Sequence, residues 1–124
     1  MCSSDLCALV GYHVPLFIDE EYARQTRYGG RIVPSSMIMS ISTGMTESLF
    51  RTTMDGLLAV DRGRFLAPVR PGDTVRTEVE VLEKKPTSNA KRGIVVFRDH
   101  LLNQRNETVY QIDKTVLILR QSAT

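Results

Sequence analysis

Residues 32–50, IVPSSMIMSISTGMTESLF, decide how this chain folds. Pro34 interrupts the preceding segment, and Ser35 or Ser36 can act as the cap of a new helix by accepting from free first-turn N–H groups. Met37, Ile41, Met45 and Leu49 recur every four residues, while the positions between them are Ser, Thr and Gly in place of charges. A helix with no charged face is buried nearly all round, so this one is expected to be the core of the domain, its methionines filling space. Glu47, close to its far end, is the first charge it carries.

Beyond this helix the period changes to two. TVRTEVEVLE (74–83) sets Val75, Thr77, Val79 and Val81 on one face and Arg76, Glu78 and Glu80 on the other, a half-buried strand. GIVVFRDHLLNQ (93–104) and TVYQIDKTVLILR (108–120) behave alike, with PTSNAKRG and QRNE as turns. A further strand is expected across LLAVDRGRFLAPV (57–69), ending at the Pro-Gly turn of RPGD. Ahead of the central helix, Asp19 followed by two glutamates marks another helix start, with Arg24 and Arg27 toward its end and Gly29-Gly30 as the stop, about two turns in all. An uncharged helix followed by four strands with one apolar face has one economical packing: an α+β domain in which an antiparallel sheet wraps the helix.

Composition narrows the function. At 124 residues, with 42% hydrophobic and 24% charged residues, the chain is expected to be a single domain spanning 1–124. Sixteen basic and fourteen acidic residues are interspersed, so no nucleic-acid partner is expected. Cys2 and Cys7 have neither the spacing nor the histidines of a metal site, and a reducing cytoplasm fits them. The longest uncharged run, Ile32 to Thr46, is too short and too polar to cross a bilayer, so no membrane partner and no targeting segment are expected.

The stretch GYHVPLFIDEEYAR (11–24) and the glycine turn after it resemble the first signature of the MaoC-like dehydratases, or (R)-specific enoyl-CoA hydratases, of the hotdog fold. Gly11, Pro15, Leu16, Asp19, Tyr22, Ala23, Arg24, Tyr28, Gly29, Gly30, Arg31 and Ile32 fall in its register. RFLAPVRPGDTVRTEVEVLEKKPT (64–87) is similar to the family's second stretch, and the likeness runs from about residue 8 to the C-terminus. It implies an enoyl-CoA substrate, with no cofactor beyond the coenzyme A that the substrate carries, and a homodimer or higher hotdog oligomer. In place of the family's first strand only ten residues precede Gly11, and LCALV (6–10) reads as a leading helix, so one sheet edge is expected to lie open.

The same register puts Tyr12 and Phe17 where the family's catalytic Asp and His would stand. Hydration needs a base and an acid on one face of the substrate, and a phenylalanine is neither. Tyr12 and His13 are the side chains at hand that could replace the lost chemistry, a phenol as donor and an imidazole as proton carrier. The resemblance further implies that the thioester carbonyl binds backbone N–H groups at Ser35 and Ser36, beside Phe17 and Gly30. The basic pairs Lys84-Lys85 and Lys91-Arg92 are the positive groups available for coenzyme A phosphates. The expected function is thus a hydratase/dehydratase-type protein with altered or lost activity. The alternatives are a non-catalytic acyl-thioester-binding or partner subunit of a hotdog assembly and, third, a thioesterase using Glu47.

Overall fold

The computed structural model describes residues 3–121. Five helices come first: α1 (Ser3–Val10), α2 (Pro15–Ile18), α3 (Glu20–Arg24), α4 (Ser35–Gly44) and α5 (Glu47–Phe50). Four long strands follow, β1 (Met54–Phe65), β2 (Val75–Pro86), β3 (Arg92–Asn103) and β4 (Thr108–Leu119), in one antiparallel sheet of order β1-β4-β3-β2. The sheet-on-helix plan and the open edge are as expected, with β1 and β2 as the two edges.

Asp19 caps α3 as its sequence predicts, its Oδ1 accepting from the Tyr22 N–H at 3.1 Å. The helix is shorter than expected, closing at Arg24, and a turn leads to Gly29 in the left-handed region (φ +69°). The central helix also divides. It stops at Gly44, where an interior glycine weakens the helix, and resumes as the single turn α5.

Its buried side is not the one expected. Ile38, Ser42, Thr46 and Phe50 face the sheet, one residue out of phase with Met37, Ile41, Met45 and Leu49, and Met45 and Leu49 are nearly half exposed. The sheet covers one side of the helix only, so the uncharged face away from it stays open in the single chain.

The core between helix and sheet has two apolar clusters separated by a polar layer. Ile38, Val69, Leu101, Tyr110 and Ile112 pack around the start of α4. Phe50, Phe97 and Val116 pack at the other end, the two phenyl rings edge to face at 5.1 Å. Between them the helix and three strands each contribute a polar side chain: Ser42 from α4, Thr77 from β2, Asp99 from β3 and Lys114 from β4. Lys114 Nζ lies 2.6 Å from Asp99 Oδ2 and also donates to Thr43 Oγ1 at 3.3 Å. Asp99 is fully buried, its contact with Lys114 is an ion pair out of line for a hydrogen bond, and its Oδ1 has no hydrogen-bond partner.

Candidate functional site

The site forms where the chain enters α4. Val33 N–H donates to Val69 C=O at 2.7 Å, tying this entry to the segment after β1. Pro34, extended at φ −59° and ψ 142°, is the N-cap residue, and no side chain caps the helix. Ser35 and Ser36 therefore occupy the first turn instead of capping it, with both side chains exposed. The Met37 and Ile38 N–H groups fold back onto Pro34 C=O, which leaves the Ser35 and Ser36 amides pointing out of the helix end. Such N–H groups, with the positive end of the helix dipole, stabilise a partly negative oxygen.

A cleft of 610 Å³ opens beside Ser35, walled by Leu16, Phe17, Tyr28, Phe65, Leu66 and Ala67, with Arg27 and Arg70 in its lining. A second cleft of 540 Å³ lies on the other side of the Val33–Val69 bridge, toward β2, and is walled by Met37, Ile41, Val75 and Leu101. Arg31, Arg70 and Asp73 stand at its rim, and the two clefts share Val33, Ile38, Val69 and Arg70. Asp73 accepts from the Arg70 backbone N–H at 2.9 Å and from Gln104 Nε2 at 2.9 Å. The Arg70 N–H above all, then Gln104, holds its carboxyl below the usual carboxylate range, so Asp73 stays ionised and is a poor general acid.

The residues expected from the sequence separate into groups. Phe17 is buried and lines the Ser35 cleft, its ring tilted against that of Tyr12 with centroids 5.6 Å apart. Tyr12 is 44% exposed and lines neither cleft, and His13 is exposed on the same turn. Gly30 is buried where a Cβ would come within 3.1 Å of Glu20 Oε1, so it leaves room for that carboxylate, with Arg70 Nη1 at an ordinary 3.9 Å. Lys84 and Lys85 line a separate 370 Å³ cleft with Arg120, at the end of β2 remote from Val75. Arg92 is paired with Asp55. Nine residues of strand between Val75 and Lys84 put this basic cluster about 30 Å from the Ser35 end. Glu47 is exposed and engaged by Arg51, whose hydrogen bonds lower its pKa.

Arg70 and Asp73 had no place among the sequence-based candidates, because RPGD reads locally as a turn and only the fold brings it to the helix start. Among the described residues no group of three His, Cys, Asp or Glu is placed to hold a metal ion. Nor is any helix among them long and apolar enough to cross a membrane.

The model of the MaoC like domain matches residues 7–99. The chain belongs to the MaoC-like domain family. Mesaconyl-CoA hydratase of Cereibacter sphaeroides is 31% identical over 102 residues, covering 82% of this chain and 30% of that enzyme, so the chain spans about a third of that relative's length. Among solved structures, a monoamine oxidase regulatory protein from an Archaeoglobus superposes with a TM-score of 0.87 at 28% identity, covering 97% of this chain and 81% of that one. A conserved hypothetical protein of Mycobacterium tuberculosis with a double hotdog fold superposes with a TM-score of 0.83 at 17% identity, over 95% of this chain and 37% of its own. This MaoC-like chain therefore has the hotdog fold anticipated from its signature.

Proposed function

We propose that this chain is an acyl-CoA-binding protein of the MaoC-like hydratase/dehydratase type. It holds a thioester at the Ser35 cleft without an acid–base pair of its own. Proton transfer then depends on a related hotdog chain that brings an acid and a base of its own. The observation that carries this reading is Phe17: where hydration needs an ionisable group beside the carbonyl site, a buried phenyl ring forms the wall. No carboxylate or imidazole lines the same cleft, and neither Tyr12 nor His13 is assigned a proton-transfer role. The 31% identity to a mesaconyl-CoA hydratase supports the acyl-CoA class of ligand.

Pairing with a second hotdog unit is supported by apolar surface that the single chain leaves open. Met39, Met45 and Leu49 on the central helix and Leu57, Leu58 and Val60 on edge strand β1 are each between 39% and 53% exposed. The basic cluster at Lys84, Lys85 and Arg92 is not needed by this reading. It lies about 30 Å along the sheet, whereas the pantetheine arm between thioester and phosphate is about 15 Å at the reach of an extended chain.

Ser35→Pro tests the site directly. Ser35 is the first helical residue, where proline is tolerated and removes only the N–H, and the extended Pro34 suits a following proline. Calorimetric titration should show acyl-CoA binding weakened about tenfold, the loss of one hydrogen bond to a polarised carbonyl, with free coenzyme A unaffected. Equal acyl-CoA affinity for Ser35→Pro, Ser36→Pro and the native chain would remove the carbonyl site from the helix start.

A further inference from the structure

The mouth shared by the two clefts is edged by arginines whose charges are unequally matched. Arg31 is tied to Glu20, Nε to Oε2 at 3.0 Å, and Arg24 lies on the other side of the same carboxylate at 3.8 Å. Asp73 is occupied by the Arg70 backbone N–H and by Gln104. Arg27 and Arg70 have no such partner: among the described residues, neither guanidinium lies within 4.0 Å of a carboxylate. Arg27 Nη2 instead donates to Tyr28 Oη at 2.7 Å, and its guanidinium carbon stands 4.7 Å from the centre of the Tyr28 ring. That contact holds the side chain against the wall of the Ser35 cleft. Arg70 Nη1 lies beside Gly30, within van der Waals reach of where a Cβ would stand. Two cations thus line an otherwise apolar cleft that has no acid in its lining.

We infer that Arg27 and Arg70 form an anion subsite for a carboxylate at the far end of a short acyl group, so that the thioester this cleft takes is a dicarboxylic acyl-CoA. The inference rests on the thioester reading of the Ser35 end. Size separates the two sources of negative charge in such a ligand. A cleft of 610 Å³ is about 10 Å across if taken as a sphere. A four-carbon acyl group places its terminal carboxylate within about 5 Å of the thioester carbon, inside that span, whereas the phosphates lie about 15 Å away along the pantetheine arm. A guanidinium fork also matches a planar carboxylate in two parallel hydrogen bonds, which a neutral chain end cannot accept.

Isothermal titration of the native chain and of Arg27→Gln and Arg70→Gln with succinyl-CoA, butyryl-CoA and free coenzyme A tests this. Both side chains are exposed, and circular dichroism verifies that the variants fold. The native chain should bind succinyl-CoA at least tenfold more tightly than butyryl-CoA. Each variant should lose that preference while keeping its butyryl-CoA affinity within about twofold. Equal native affinities for the two acyl-CoAs would overturn the carboxylate subsite and leave the thioester reading standing. A uniform loss for all three ligands in the variants would also overturn it, assigning the arginines to the phosphates. Binding of neither acyl-CoA would overturn the thioester reading, and the subsite with it.

Discussion

The ion pair in the polar layer makes a quantitative prediction. Lys114→Met removes the cation paired with Asp99, a carboxylate with no exposed surface and an already unpartnered Oδ1. Breaking a buried pair from one side costs about 3–5 kcal/mol, because the remaining charge loses its compensation without regaining water. With an unfolding entropy of about 2.1 cal/mol/K per residue, a 124-residue chain loses about 4 °C of Tm per kcal/mol, so the variant should melt roughly 12–19 °C below the native protein. Asp99→Val with Lys114→Met removes both charges and joins the two apolar clusters. It should recover most of the loss, since apolar replacement of a buried pair is often neutral or better. Urea unfolding followed by circular dichroism gives the four corners of the cycle at constant m. A Lys114→Met cost below about 1 kcal/mol, or a double variant no better than the single one, would refute the idea that the layer is a buried, mutually dependent pair.

Three more outcomes are expected from contacts elsewhere in the chain. Asp113 is nearly buried on the outer sheet face, and the paired hydrogen bonds from Arg98, helped by Arg62, hold its carboxyl below the usual carboxylate range against the opposing effect of burial. A folded-state pKa below the unfolded value gives stability that is present above about pH 4 and fades as pH falls through the folded pKa. Asp113→Asn should therefore flatten the acid limb of a stability–pH profile, and an unchanged acid limb would contradict the assignment. Asp19→Ala removes the cap accepted by the Tyr22 N–H and should lower stability by about 1 kcal/mol, read from urea midpoints, whereas no change would deny the cap its role. Phe17→His puts an imidazole into the wall of the Ser35 cleft and should confer enoyl-CoA hydration about 10²-fold above background, read from the conjugated thioester absorbance. It should also lose about 1–3 kcal/mol of stability with the buried ring. A folded variant without hydration would mean that position 17 does not face the thioester.

The strands were legible because alternation has a strict period of two, and each of the four lies within a few residues of its expected place. The strand over 57–69 begins and ends earlier than read, because Ala67 and Pro68 leave the ladder and the next segment turns toward α4. The central helix was legible as an element, its phase was not. Apolar residues stand at both 37/41/45 and 38, and the buried set runs through Ser42 and Thr46, polar residues that a hydrophobic pattern assigns to solvent. Ser42 is inside because Thr77 of β2 meets it at 3.4 Å, a match made by the fold and invisible to local pattern, and Thr46 satisfies its hydroxyl by donating to Thr43 C=O at 2.7 Å.

At the site, the helix start and Phe17 were readable from the signature, since Pro15 and Asp19 pin the chain locally and Asp19 caps α3 as that register requires. Arg27 and Arg70 were not, because 43 residues separate them and the Val33–Val69 hydrogen bond brings their segments to one cleft.

The most direct measurement is a paired one on the isolated chain: crotonyl-CoA titrated in the calorimeter, with the conjugated thioester absorbance of the same mixtures followed over time. Saturable binding with no loss of absorbance beyond the buffer rate is the predicted result. Steady hydration by the isolated chain would contradict the account, because the walls of the Ser35 cleft contain no carboxylate or imidazole to move the protons.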